Sequence, residues 1–261
     1  MSFIDTHAHL DQPEFDPDRQ AVIDRARQSG VETIVCVGVT ADSSQAVFAL
    51  AQTHAEIFAA VGIHPNSAAK AQPGDWDRVL ALLDRSRVVA LGETGLDRHW
   101  DFTPIELQRT YFDRHLRAAQ ERDLPVVIHC REAEADLMPM LREAVARGPL
   151  RGTLHAFSGD AAMAAECVAL GLHVSFAGNV TYTNKKFQTL RSAVATIPAE
   201  RLLIETDSPY LVPHPLRGHE RRNEPSRVVL TGQGLAELRG QDLAALAART
   251  TANARELFRL G

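Results

Sequence analysis

Cysteine is scarce in this chain. Cys36, Cys130 and Cys167 are the whole complement, odd in number and without C-x-x-C spacing. That excludes a disulfide framework and predicts reduced thiols in a cytoplasmic protein. Long hydrophobic runs are lacking too. None nears the roughly 20 residues needed to cross a bilayer, so no membrane association is expected. Met1-Ser2 leads straight into an apolar stretch, which leaves no room for a signal or transit segment. Positive charge is in deficit: 28 Lys and Arg face 33 Asp and Glu, for a formal net charge of -5. This excludes broad electrostatic coating of duplex DNA, which needs a basic face. It leaves open a nucleic acid held locally by metals and a few arginines. Internal repeats, low-complexity tracts and linkers are absent, so residues 1–261 are expected to form one domain.

What the chain has is a large apolar content, 45% of 261 residues, in a regular arrangement. Apolar runs of strand length alternate with amphipathic segments of helix length. The runs are 3–6, 33–39, 57–63, 88–91, 126–128, 152–156, 173–176 and 202–205. They are apolar almost throughout, as expected of parallel strands covered on both faces. Helix-start chemistry lies between them. Asp16-Pro17 and Thr103-Pro104-Ile105-Glu106 read as starts of the first and fourth helices. Asp42 and Asp160 are candidate caps for the second and sixth. Gly30 and Gly171 sit where helices should stop. Eight such units predict an α/β fold, a (β/α)8 TIM barrel, with extra C-terminal helical segments at 226–239 and 242–259. An open doubly wound sheet is the runner-up, but no G-x-G-x-x-G follows the first strand.

Active sites of such barrels sit at the C-terminal strand ends. Polar residues recur there. His7 and His9 end the first strand, and His64 the third. Glu93 and Asp97 follow the fourth. His129 ends the fifth, His155 the sixth, and Glu205 and Asp207 the eighth. Singly, each histidine is better read as structural. As a set they are not, because buried ionisable groups are costly unless paired or metal-bound. Four imidazoles and two or three carboxylates exceed the ligand needs of one tetrahedral ion. Glu93, arriving between the two histidine groups, is the expected bridge between two cations. Asp207 is expected to bind metal and hold the attacking water. Glu205 is expected to orient a ligand histidine rather than bind metal directly. His64 is assigned to substrate contact, with a backbone-bonded structural role equally open. Trp100 either shields the barrel rim or stacks a base. Arg222, in the basic run Arg217 to Arg222, is expected over the pocket as a phosphate contact. Asn223 and Glu224 are expected to order that loop.

Several of these segments resemble the TatD family of metal-dependent hydrolases. The early motifs are Asp5-Thr6-His7-Ala8-His9-Leu10, Val61-Gly62-Ile63-His64-Pro65 and Gly92-Glu93-Thr94-Gly95-Leu96-Asp97. Further on come Val127-Ile128-His129-Cys130-Arg131, His155-Ala156-Phe157-Ser158-Gly159, Glu205-Thr206-Asp207-Ser208-Pro209 and Arg222-Asn223-Glu224-Pro225. They occur in family order and span nearly the whole chain. The resemblance implies a two-metal site with His7, His9, Glu93, His129, His155 and Asp207 as ligands. It also implies nuclease activity, often removal of nucleotides from a 3′ end. The chain departs from the family pattern at Arg98-His99, at Cys130, and at Thr181 to Asn184, where Lys185 is displaced. None of these is a proposed ligand.

The leading expectation is a metal-dependent 3′-5′ exodeoxyribonuclease with two divalent ions (Mg, Mn or Zn), preferring single-stranded DNA ends. No stable protein partner is expected. An ester or amide hydrolase, acting on a small molecule or on aminoacyl-tRNA, is the alternative. A catalytically silent metal-binding barrel ranks third, because the ligand set is complete.

Overall fold

The computed structural model describes residues 1–260. Eight parallel strands run in the order of the chain: β1 (Phe3–Ala8), β2 (Val31–Val37), β3 (Ile57–Val61), β4 (Val88–Asp97), β5 (Val126–Arg131), β6 (Gly152–Leu154), β7 (His173–Phe176) and β8 (Leu202–Ile204). Each pairs with its sequence neighbour. The ring is nearly closed by a bridge between Ala8 and Ser208, beyond the end of β8. Around it lie α1 (Arg19–Gln28), α2 (Ala41–Thr53), α3 (Asp75–Leu82), α4 (Ile105–Arg122), α5 (Glu134–Arg147), α6 (Ala161–Ala169) and the short α7 (Gln188–Ala193). Two further helices follow β8: α8 (Val228–Arg239) and α9 (Leu243–Phe258). This is the expected TIM barrel with its C-terminal helical addition. No helix among the described residues is long and apolar enough to cross a membrane.

The helix starts are less faithful to expectation. Thr40, not Asp42, caps α2, in a reciprocal box with Ser43. Asp16 is engaged by Arg19, and α1 begins only at that residue. The Thr103 hydroxyl accepts from the Ala69 N–H at 3.2 Å instead of capping α4. Asp160 does cap α6, accepting from the Met163 N–H at 2.8 Å.

The interior holds a core distinct from the strand–helix layer. Ile4, Val35, Val37, Ala60, Ala90, Val127 and Leu203 fill the barrel, and Leu257, Phe258 and Leu260 pack beneath them. On β5, alternation puts His129 on the same face as Val127. Strict alternation would not do this on β1 or β4, where Ile4 and His7, and Ala90 and Glu93, are three residues apart. Register shifts in β1 between Asp5 and Ala8, and in β4 between Leu91 and Thr94, reverse the facing. Such irregularities re-aim side chains near active sites. Gly95 is required by the same stretch of β4. Its φ is +138°, and a Cβ there would fall 2.0 Å from the His129 carbonyl oxygen.

His115 on α4 ties the helix layer to β3. Its Nε2 accepts from the Ile63 N–H at 3.0 Å, and its Nδ1 donates to the Tyr111 carbonyl at 2.6 Å. Burial pushes its pKa down from the usual 6.5 to about 4. The unfolded chain therefore takes up this proton before the folded one does. The stability from this group is complete above pH 6.5 and is lost as pH falls toward 4. His115→Gln cannot titrate, so urea unfolding between pH 7 and 4.5 should show a shallower loss of stability in that variant. An unchanged slope would assign the acid sensitivity to other groups.

Candidate active site

All the strand-end residues named above converge at one end of the barrel. The centre is Glu93, which is 3% exposed. Its Oε2 lies 3.4 Å from His7 Nε2 and 3.6 Å from His9 Nε2. Its Oε1 lies 2.8 Å from His155 Nε2, 3.0 Å from His129 Nδ1 and 3.3 Å from His64 Nε2. Asp207 Oδ1 faces His9 at 3.5 Å and His7 at 3.7 Å. The Asp207 backbone is left-handed, with φ +54°, which aspartate tolerates better than most residues. Its N–H donates to the His7 carbonyl at 2.9 Å.

Hydrogen bonds on the far side of each ring assign the tautomers. His9 Nδ1 donates to the Val37 carbonyl at 2.9 Å. His155 Nδ1 donates to Glu205 at 3.3 Å, and His129 Nε2 to Asp97 at 3.1 Å. In its neutral form each ring then presents a lone pair to the centre; a ring protonated there donates to Glu93 or Asp207 instead. Three imidazole lone pairs facing carboxylates in a buried site need positive charge between them. Protons or metal ions can supply it, and this donor set fits divalent first-row ions. Three groups are compact enough to share an ion: His7, His9 and Glu93; His7, His155 and Asp207; and His64, Glu93 and His129.

The titration behaviour follows the same field. Burial opposes ionisation of Glu93, yet the surrounding imidazoles hold its pKa well below the carboxylate range. Burial likewise disfavours the charged form of His9. The Asp207 bond and the Glu93 charge outweigh it and raise the pKa to about 9. His155 is raised for the same reason by Glu93 and Glu205 against burial. His64 goes the other way, because burial dominates. Its tautomer also differs. Nδ1 accepts from the Asn66 N–H at 3.0 Å, so Nε2 carries the hydrogen. His64 offers the site a donor, which suits a substrate oxygen better than a cation.

Asp97 was named in the sequence without a role of its own and has a clear one here, while Arg217, in the basic run expected over the pocket, is the member of that run that reaches it. Asp97 accepts from Asn66 Nδ2 (2.8 Å), His99 N (2.8 Å) and Trp100 N (3.0 Å) as well as from His129. It is the orienting carboxylate of His129, as Glu205 is of His155. The signal was its place in the Gly95-Leu96-Asp97 run. Arg217 lines the cavity above the site, together with Arg131 and Lys186. That cavity has a volume of about 850 Å³.

Arg222 corrects the sequence reading. It does not line the cavity. Its guanidinium grips both oxygens of Asp18, at 2.7 and 2.8 Å, and donates to the Glu14 carbonyl at 2.7 Å. The neighbouring Glu224 takes a forked pair from Arg25, and Asn223 donates to the Thr206 carbonyl at 2.9 Å. The Arg222 to Pro225 segment thus fastens the long loop after β8 to α1. Proximity in sequence to Asp207 put Arg222 at the pocket; the acidic start of α1 takes it away.

A family model described as TatD related DNase matches residues 4–259. The chain belongs to the TatD family. An uncharacterized metal-dependent hydrolase, YabD of Bacillus subtilis, is 40% identical over 98% of both chains. A 3′-5′ ssDNA/RNA exonuclease TatD of Pectobacterium carotovorum is 36% identical, over 98% of this chain and 99% of its own. The crystal structure of the Escherichia coli TatD homolog YJJV superposes with a TM-score of 0.92 at 32% identity, covering 99% of this chain and 98% of that one. Like these relatives, this TatD-family chain is a metal-dependent hydrolase. The cluster around Glu93 is where its His, Asp and Glu groups can bind metal.

Two substitutions test the local assignments. Asp97→Asn should lower metal affinity about 10- to 100-fold, the usual scale for losing an orienting carboxylate, as read by metal titration. Unchanged affinity would show that Asp97 serves only the loop. Arg222→Ala should lower the melting temperature by a few degrees and leave the KM for a short oligonucleotide unchanged. A raised KM at normal stability would return Arg222 to the substrate.

Proposed function

We propose that this TatD-family hydrolase is a two-metal phosphodiesterase that removes nucleotides from the 3′ ends of single-stranded DNA, working in the cytoplasm as a single-domain enzyme. The observation that carries the two-metal part is the split of Glu93, with one oxygen toward His7 and His9 and the other toward His129 and His155. In this reading His7, His9, Asp207 and Glu93 would hold one ion, and His129, His155 and Glu93 the other. Divalent ions bound there would supply an acidified water and neutralise the charge of the phosphodiester. The relatives named as 3′-5′ ssDNA/RNA exonucleases support the polarity and the single-stranded substrate.

The chain's own groups do the rest. Asp207 accepts the proton of the attacking water. Glu205 and Asp97 keep His155 and His129 in the tautomers that expose a lone pair. His64 Nε2–H donates to a phosphoryl oxygen and holds the scissile group in line. Arg131, Lys186 and Arg217 meet the adjoining phosphates at the cavity wall. The residues that would hold the ions are recessed, with His7, His9, Glu93 and His155 buried, so a chain end reaches them more readily than a duplex interior.

Glu93→Gln keeps the size of the side chain and removes its charge. It should weaken binding of both ions together and abolish turnover. Loss of only one ion, or near-normal activity, would rule out the bridge. Substrate class is tested with linear single-stranded DNA, labelled at either end, against closed single-stranded circles under identical metal conditions. Linear DNA should shorten from its 3′ end, circles should persist, and chelation should stop the reaction. Equal cleavage of both forms would defeat end dependence. Turnover of an ester or amide with neither DNA cleaved would move the assignment away from phosphodiesters.

A further inference from the structure

The loop that follows β4 carries an exposed aromatic pair beside the cavity. Trp100 and Phe102 stack on each other, with ring centroids 5.4 Å apart and planes 11° from parallel. Both keep much of their ring surface open to solvent: Trp100 is 45% and Phe102 55% exposed. Large aromatics normally hide, and stacked exposed ones present an apolar face without burying it. Trp100 itself lines the cavity that contains Glu93 and Asp207. The Arg131 guanidinium lies 5.7 Å from the Trp100 ring centroid and makes no ion pair among the described residues.

The loop is held rather than loose. The Trp100 N–H is bound by Asp97 Oδ1, whose other oxygen orients His129. Gln108 of α4 grips the carbonyls of Asp97 and Thr103, at 2.9 and 2.8 Å, at either end of the loop. A flat face is thereby fixed two hydrogen bonds from the metal-facing imidazole, with a free cation over it. Aromatic and arginine side chains also recur at protein interfaces, but here the face opens into the cavity that contains Glu93 and Asp207. The combination matches a base and its phosphate, because every nucleobase has a π face and every linkage a negative charge.

We propose that Trp100 and Phe102 form a stacking subsite for an unpaired base near the cleaved bond, with Arg131 contacting that nucleotide's phosphate. This rests on the nuclease reading and adds a substrate-positioning role to it. The platform extends the existing two-ring stack by one base. It requires that base to be unpaired and accepts any base, since stacking carries little sequence preference. Discrimination against duplex ends then comes from these rings as well as from the depth of the metals.

The test uses the metal-loaded enzyme carrying Trp76→Phe, which leaves Trp100 as the only tryptophan of the two in the chain. It is titrated with a short single-stranded oligonucleotide protected from hydrolysis by phosphorothioate linkages at its 3′ end. Binding should quench Trp100 emission to saturation. The same oligonucleotide made abasic at one of its last three positions should bind about tenfold more weakly, the scale of one base–aromatic stack. Trp100→Leu has no tryptophan left in this background, so its binding is read from the anisotropy of a strand labelled at its 5′ end; it should lose about the same factor on the intact strand and nothing further on that abasic one. Trp100→Phe, read the same way, should recover most of the loss. Multiplying losses at all three positions, saturable binding without quenching, or no binding of any strand would overturn the subsite. Binding with quenching but no cleavage of unprotected DNA would sink the nuclease reading alone. Full affinity and cleavage by Trp100→Leu would sink the subsite alone.

Discussion

One buried carboxylate organises the active end of this barrel. Glu93 is surrounded by imidazole nitrogens on both of its oxygens, in a nearly buried place at the floor of the cavity. A lone carboxylate there would be driven to protonate. Instead the surrounding imidazoles hold it ionised, through their positive charge and hydrogen bonds. Glu205, Asp97 and the Val37 carbonyl orient three of those rings from behind. So many facing polar groups need positive charge between them, from protons or from divalent ions.

The barrel absorbs this polar cluster by keeping it at one end. Below it the interior is small and aliphatic, built from Ile4, Val35, Ala60, Ala90, Val127 and Leu203. Alternation alone does not connect the two zones. The irregularities in β1 and β4 change the facing of the chain at the boundary between apolar floor and polar mouth. Gly95 then lets β4 pass close to β5 without a clash at His129.

Much of this was legible in the sequence for a simple reason. Strands covered on both faces are apolar throughout, so a polar residue at the end of one stands out. Phe3, Val126 and His173 were placed at their true strand starts, and all eight runs overlap real strands. The six residues that converge at the barrel mouth, His7, His9, Glu93, His129, His155 and Asp207, were visible as an ordered set. His7 and His9 do face the same way, with their Nε2 atoms 3.1 Å apart. Register was not visible: no spacing signals the shift in β1 between Asp5 and Ala8. Side-chain pairing across the chain was also hidden. Arg222 and Arg217 lie in one basic run, and only folding shows that Asp18 claims the first while the cavity keeps the second. Hydrogen-bond direction at His64 depends on the Asn66 backbone, which no spacing rule encodes.

The ring has one seam made between distant parts of the chain. Every strand from β2 to β8 pairs with its immediate predecessor, so the sheet can grow in the order of synthesis. Within the ring, the return of the segment after β8 to β1 is the step that joins residues some 200 positions apart, through Asp5 with Thr206, His9 with Ser208 and His7 with Asp207. That seam is also where His7 and His9 meet Asp207. An ion held by those three side chains would fasten the first strand to the last, and ion binding and barrel closure would then be coupled equilibria. Affinity for the ion would add directly to the resistance of the ring against opening. In that geometry the reagent of catalysis would double as a clasp.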